Sequence, residues 1–221
     1  MSRPFVLALL SGLFASSGLT GQEKTYTSEF MPLAVGSRWV YRNTRTTEDK
    51  KTPERSTLVV ECERQESVRV KKFNAKKEEL PAVDVTAFRL VAKQEARVLP
   101  EIVGVMDDGI YRFSALGKDI DPPLQIFKLP VKDGESWTVE ATTNKIKVKG
   151  TFTAKEETID VPAGRFATMR VSSRDFFAGS EKMEIDTWFA PKVGIVKRRL
   201  QSERSGLIEQ ELERFESAKG K

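Results

Sequence analysis

The sequence predicts a mostly β protein built from antiparallel strands. From Thr25 onward the chain runs in short stretches rich in Val, Ile, Thr and aromatic residues, and turn residues punctuate them at close intervals. Within the stretches the apolar residues alternate, as in Val83-Asp84-Val85-Thr86-Ala87-Phe88, which turns one side of a strand toward a core.

The first segment is of another kind. Met1-Ser2-Arg3-Pro4 precedes the apolar run Phe5 to Ala15 and then Ser16, Ser17 and Gly18, the layout of a secretory signal peptide. A membrane span needs about 20 apolar residues, and the polar Gln22-Glu23-Lys24 arrives too soon. A buried N-terminal helix fits less well, because the run opens on Arg and lacks a polar face. Residues 1–21 are therefore expected to be the signal, with cleavage within 17–21, and residues 22–221 a single β-rich domain. No cysteine sits near the cleavage point, so the exported chain is expected to be released rather than lipid-anchored, into the periplasm or the exterior. A chain of about 200 residues buries roughly 70% of its unfolded surface and needs no staples.

Strands are expected at Ser37 to Arg45, Thr57 to Glu63, Val83 to Ala92 and Ile110 to Ser114. Others follow at Trp137 to Ala141, Ile146 to Thr153, Thr168 to Ser173, Glu184 to Phe189 and Gly194 to Glu203. Between Val103-Gly104-Val105-Met106 and Ile110-Tyr111-Arg112-Phe113, the turn Asp107-Asp108-Gly109 makes a hairpin. Val161-Pro162-Ala163-Gly164 has the Pro and Gly placement of a type I turn. The last segment, 207–217, fits an amphipathic helix or a strand folding back on 195–204 across Ser205-Gly206; the strand is preferred. Gly36-x-x-Trp39 and Gly134-x-x-Trp137 echo one another, either as two halves of one sheet or, preferably, as two instances of one turn-to-strand entry.

Composition excludes several chemistries. The chain has no histidine and one cysteine, Cys62, so His-dependent triads and Cys- or His-rich metal sites are out of reach, and no metal site or cofactor is expected. Neither a phosphate-binding glycine loop nor a dinucleotide fingerprint is present. Cys62, flanked by Leu58, Val59 and Val60, is expected to be a small buried hydrophobe, not a reactive thiol. The net charge is +5, and removal of the signal takes Arg3 and no acid, leaving +4. Acids and bases are interleaved throughout, which disfavours a nucleic-acid partner. The best basic cluster, Lys197-Arg198-Arg199, is expected on a solvated strand face. Paired carboxylates survive as a catalytic option, and Asp186 beside Trp188-Phe189 is the acid with the most distinctive context. No catalytic residue is assigned.

The aromatic residues carry the remaining signal. Trp39, Tyr41, Phe88, Trp137 and Trp188 lie in expected strands and are the candidate ligand-binding residues, as the lining of an apolar cradle. An ordinary β core is the competing reading of the same residues.

Four motifs in order give a family resemblance. They are Phe30-x-Pro32-Leu33-x-Val35-Gly36-x-x-Trp39-x-Tyr41; Pro122-Pro123-Leu124 with Phe127-x-Leu129-Pro130-Val131 and Gly134-x-x-Trp137; Val161-Pro162-Ala163-Gly164-x-Phe166; and Trp188-Phe189-Ala190-Pro191-x-Val193-Gly194-Ile195-Val196-Lys197. Together they resemble a group of exported bacterial proteins, TapB-like or classed under a domain of unknown function. The resemblance implies a single strongly curved antiparallel sheet, a half-barrel similar to that of lipoprotein carriers. It carries over no reaction and no catalytic residue. Many members of the group bear a lipid-anchor cysteine that this chain lacks.

The expectation is a non-catalytic binding or structural module of the cell envelope, holding a hydrophobic small molecule or an envelope protein. A carboxylate-based hydrolase would instead need two acids facing one another about 5–10 Å apart in a cleft. A purely structural envelope component would show a filled core and an exposed apolar patch.

Overall fold

The computed structural model describes residues 28–47, 52–73 and 79–218. The signal peptide and its cleavage site lie outside the described residues. Twelve strands and no helix occur among them. The first six are β1 (Arg38–Thr46), β2 (Glu54–Phe73), β3 (Glu79–Gln94), β4 (Arg97–Met106), β5 (Gly109–Ala115) and β6 (Lys118–Lys128). The second six are β7 (Ser136–Thr143), β8 (Ile146–Val161), β9 (Gly164–Ala178), β10 (Glu181–Ala190), β11 (Gly194–Ser202) and β12 (Gly206–Glu216). Each pairs antiparallel with its chain neighbours, and β12 pairs with β1 to close the ring.

The sheet is therefore a closed twelve-stranded barrel, which corrects the expected half-barrel. Closure depends on the last segment: 207–217 forms β12, not a helix, and its nine residue pairs with β1 run from Arg38↔Glu216 to Thr46↔Leu207. Closing the sheet removes both edge strands, with their rows of unpaired backbone groups. Gly206 makes the turn into β12 with φ +68, and a Cβ there would lie 2.3 Å from the Thr46 carbonyl oxygen, so no other residue fits the β11–β12 corner unchanged.

The opposite junction is much weaker. Strand β6 was not expected, because Pro122-Pro123 interrupts its pattern, and prolines are poor central-strand residues. It forms, but pairs with β7 only at Ile120↔Thr143 and Asp121↔Thr142. The prolines sit where the ladder to β7 stops. Beyond them the seam is held by side chains: the Trp137 indole N–H donates to the Gln125 carbonyl (3.2 Å), and Lys128 pairs with Glu135.

The glycine echo marks two matching strand entries. Gly36 N–H donates to the Cys62 carbonyl at 2.8 Å and Gly134 N–H to the Ala154 carbonyl at 2.9 Å. In return Cys62 N–H donates to Ser37 and Ala154 N–H to Glu135. Strands β1–β6 and β7–β12 also match in order, each half opening on a short strand and continuing with its two longest. Both readings of the echo are thus met in one feature: a shared turn, placed at the start of two six-stranded halves.

An eight-stranded barrel is just filled by its side chains, so twelve strands leave room inside. One end is stoppered. The segment before β1 inserts Met31 and Leu33, both buried, and Phe30 packs on Phe127, which in turn meets Phe189 with ring centroids 4.7 Å apart. The Lys192 backbone N–H donates to the Glu29 carbonyl at 2.6 Å, tying this plug to the β10–β11 turn. Cys62 lies in the main core at 1% exposure, as its apolar flanks predict. A smaller cluster of Val70, Val85, Ala87 and Phe113 forms on the other face of the sheet, since Ala87 belongs to it and its neighbour Phe88 to the main core.

Candidate functional site: a two-chambered lumen

Inside the barrel are two chambers that meet at Arg112 and Arg198, the two residues lining both. The first, about 280 Å³, is walled by Met31, Trp39, Tyr41, Leu58 and Leu90, among others. It reaches the surface at the end opposite the plug, where Leu116 of the β5–β6 turn, 67% exposed, forms part of its wall. The second, about 200 Å³, is walled chiefly by apolar residues including Leu124, Phe152, Phe176 and Phe189. Together their volumes reach the range of small-molecule sites, roughly 300–1,000 Å³.

Strand alternation builds the polar belt between them. Lys197 and Arg199 point outward, where Lys197 pairs with Glu211 (3.0 Å) and Arg199 with Asp186 (3.6 Å). Arg198 between them must point inward. This corrects the expectation that all three bases share a solvated face: a period of two splits any run of three. Arg198 faces Gln210 on β12 and Thr187 on β10 across the ladder. On the same inner surface the Gln210 amide donates to Asn43 (3.3 Å), while Asn43 and Gln94 both donate to the Ser56 hydroxyl (3.3 and 2.7 Å). Across the lumen, Arg112 Nε lies 2.8 Å from Glu101 Oε2.

Among the described residues, Glu101, Arg112 and Arg198 are the charged residues lining the chambers. Two cations against one carboxylate give these walls a net charge of +1. Glu101 is engaged by Arg112, whereas no ion pair or hydrogen bond reaches the Arg198 guanidinium from the described residues. Burial, and then the positive field of Arg112, pull the Arg198 guanidinium below its ordinary value, with Glu101 and Tyr41 acting the other way. Arginine stays protonated even so. The result is a partly desolvated cation open to both chambers.

The five expected ligand residues separate into two groups. Trp39 and Tyr41 come together on the wall of the first chamber. Their polar atoms are spoken for: the Trp39 indole N–H donates to the Val193 carbonyl (2.7 Å), and the Tyr41 hydroxyl to the Ile195 carbonyl (2.8 Å). Burial raises the Tyr41 phenol well above its ordinary value, so it stays neutral. What the two rings offer the chamber is apolar surface. Phe88, Trp137 and Trp188 line neither chamber. Phe88 is buried core, and Trp137 packs on Phe152 with centroids 5.7 Å apart. Trp188 donates to Glu157 Oε2 (2.9 Å) under the ammonium of Lys197, 5.7 Å from its ring.

Paired-carboxylate chemistry finds no pair in the chambers among the described residues, where Glu101 is the one acid on the walls. Asp186 lies outside the lumen. Burial pushes its carboxyl up, but the hydrogen bond from Arg174 (2.8 Å) and the positive charges around it prevail and hold it below its ordinary value. Asp186 is thus an anchor for Arg174 and Arg199, not an acid facing a cleft. Among the described residues no group of three His, Cys, Asp or Glu is placed to hold a metal ion.

Sequence reasoning gave Glu101 and Arg112 no role and placed Arg198 on a solvated face, yet these three residues give the lumen its charge. The available signal was parity: Val103 and Val105 are core residues, which puts Glu101 inward on the same strand.

The exterior differs in character from the lumen. Outward positions of β1, β10, β11 and β12 carry Arg42, Glu184, Asp186, Lys197, Arg199 and Glu211 in cross-strand ion pairs. A membrane-embedded barrel carries a continuous apolar outer band, which these ion-paired strands interrupt. No helix among the described residues is long and apolar enough to cross a membrane.

Fold and site define a class: a closed, up-and-down antiparallel barrel of twelve strands, ion-paired on the outer face of β1 and β10–β12, with an apolar lumen crossed by a polar belt. Two solved structures resemble it over most of their length. One, named as a lipoprotein of Parabacteroides distasonis, aligns with a TM-score of 0.50 and 14% identity over 85% of this chain and 98% of its own, a likeness of fold. The other, named as an exported protein with a YmcC-like fold from Bacteroides fragilis, aligns with a TM-score of 0.49 and 16% identity over 84% and 98%. No family model matches the chain, and no curated protein matches it either.

Proposed function

We propose that the protein is an exported, non-catalytic binding module of the cell envelope that holds a hydrophobic small molecule in its barrel lumen. One observation carries the reading: an apolar chamber walled by Trp39, Tyr41, Leu58 and Leu90 opens at the unplugged end of the barrel. Burial of a ligand's apolar surface there contributes about 25 cal/mol per Å². The N-terminal segment is read as a signal peptide, so the mature chain, residues 22–221, acts outside the cytoplasm as one domain. Without a cysteine after the signal, it is released into the periplasm or the exterior rather than anchored.

The test is native mass spectrometry of the mature protein purified from its own envelope fraction with lipids retained. A reproducible bound mass that disappears on delipidation is the expected result. A clean apo mass under those conditions overturns this reading and turns the search to an envelope protein partner.

A further inference from the structure

We infer that the lumen selects an amphiphile with a single anionic head group, carboxylate or phosphate, seated against the guanidinium of Arg198 with its tail in the first chamber. This deepens the reading of the lumen as a ligand site and rests on it.

The argument begins with charge balance. A buried cation without a partner is costly, and structures normally pair or neutralise it. Here Glu101 neutralises Arg112 at 2.8 Å, and Arg198 faces both chambers with no ion pair or hydrogen bond from the described residues. The Tyr41 hydroxyl beside it donates to the Ile195 carbonyl and stays neutral, so it supplies no counter-charge. One monoanion at Arg198 brings the lumen to neutrality. The head group's oxygens would take the guanidinium donors in the geometry that suits carboxylates and phosphates.

The second consideration is the surroundings. Apart from the charged trio, the walls of the first chamber are chiefly aliphatic and aromatic, and they continue from Arg198 past Leu90 and Leu99 to Leu116 at the mouth. A small inorganic anion would leave that surface uncovered; a neutral hydrocarbon would leave Arg198 unpaired. An amphiphile satisfies both. Leu116, 67% exposed, carries the apolar wall to the surface at the strand ends opposite the plug. It gives an alkyl tail an apolar step from surface to chamber.

Isothermal titration of the delipidated, full mature protein with decanoate, decyl phosphate and decanol, each below its micelle concentration, tests the inference. At least one anion should bind about tenfold or more tightly than decanol, the value of one charge-assisted contact. The stronger of the two anions then separates a fatty-acid head from a phosphate head. Arg198→Met should reduce anion affinity to the decanol level and leave decanol unchanged, while Arg198→Lys keeps part of the preference. Equal binding of all three amphiphiles overturns the head-group inference and leaves the hydrophobic-ligand reading standing. Inorganic phosphate binding as tightly as decyl phosphate overturns the amphiphile. If no amphiphile binds, both readings fall together. Should Arg198→Met fail to fold, the head-group comparison on the wild-type protein still decides.

Discussion

Replacing Glu101 by Gln removes the one negative charge that the described residues place on the chamber walls, while keeping the side chain's size. Arg112 then loses its 2.8 Å partner, and Arg198 loses the one carboxylate that favours its charged form. Breaking a buried pair from one side costs about 3–5 kcal/mol. The Glu101 and Arg112 side chains are each 22% exposed, so solvent screening reduces the expected cost to about 2 kcal/mol. For a domain of this size each kcal/mol moves Tm by about 2–4 °C, which gives a fall of about 4–8 °C. Arg198→Met acts in the opposite direction. It removes an unpaired cation and adds apolar packing, an exchange worth from about 0 to 4 kcal/mol in favour of folding. The double variant keeps Arg112 alone, with the same lumen charge of +1 as the wild type, so its Tm should lie well above that of Glu101→Gln. Calorimetry on the four delipidated proteins closes the cycle. A neutral Glu101→Gln combined with a destabilising Arg198→Met would refute the account of the lumen as electrostatically unbalanced.

Other consequences are open to measurement. Phe127→Ala, at a site with no exposure and two aromatic neighbours, should cost about 3–5 kcal/mol in chemical denaturation. Gly150→Ala should cost about 1–3 kcal/mol, because a Cβ would lie 2.9 Å from the Phe176 ring and 3.0 Å from its Cα. Burial raises the Cys62 thiol from 9.0 to about 11. Between those pH values the unfolded chain releases a proton that the folded chain retains, so stability from this group is full below 9 and lost as pH rises toward 11. Cys62→Ala should flatten the pH dependence in that window, and native Cys62 should resist thiol reagents near pH 8 until the protein unfolds. Amide exchange should be fastest, among the barrel's strand junctions, along the β6–β7 seam, where two residue pairs make the ladder.

Strand identity was legible wherever alternation and turns agreed, which is why the hairpin at Asp107-Asp108-Gly109 and the strand preference for 207–217 match the observed β4–β5 turn and β12. It failed where one rule masked another. Pro122-Pro123 hid β6, because a proline forbids a ladder hydrogen bond only on the side where one is needed, and a sequence does not say which side is unpaired. Closure was illegible for a related reason. Whether the last strand meets the first depends on the summed twist and register of twelve strands, which no local pattern specifies.

The same limit explains the site. Aromatic residues drew the sequence reading because they are large and sit in strands, yet size and strand membership do not say which face a ring takes. Trp188 and Phe189 are neighbours on one strand: Phe189 lines a chamber, while Trp188 binds Glu157 beneath Lys197. For charged residues, facing is the more informative property. Several outward Arg residues in this barrel meet an acid, as Arg42 meets Glu211 across the ladder at 2.6 Å, and exposed pairs of that kind contribute about 0–1 kcal/mol each. An inward Arg has no such freedom, and needs either a built partner, as Arg112 has, or a ligand. Arg198 has the first requirement unmet among the described residues, and it lines two chambers with space for the second. The most informative residue in the chain is thus the middle member of a basic triplet, and its meaning depends on the parity of one strand.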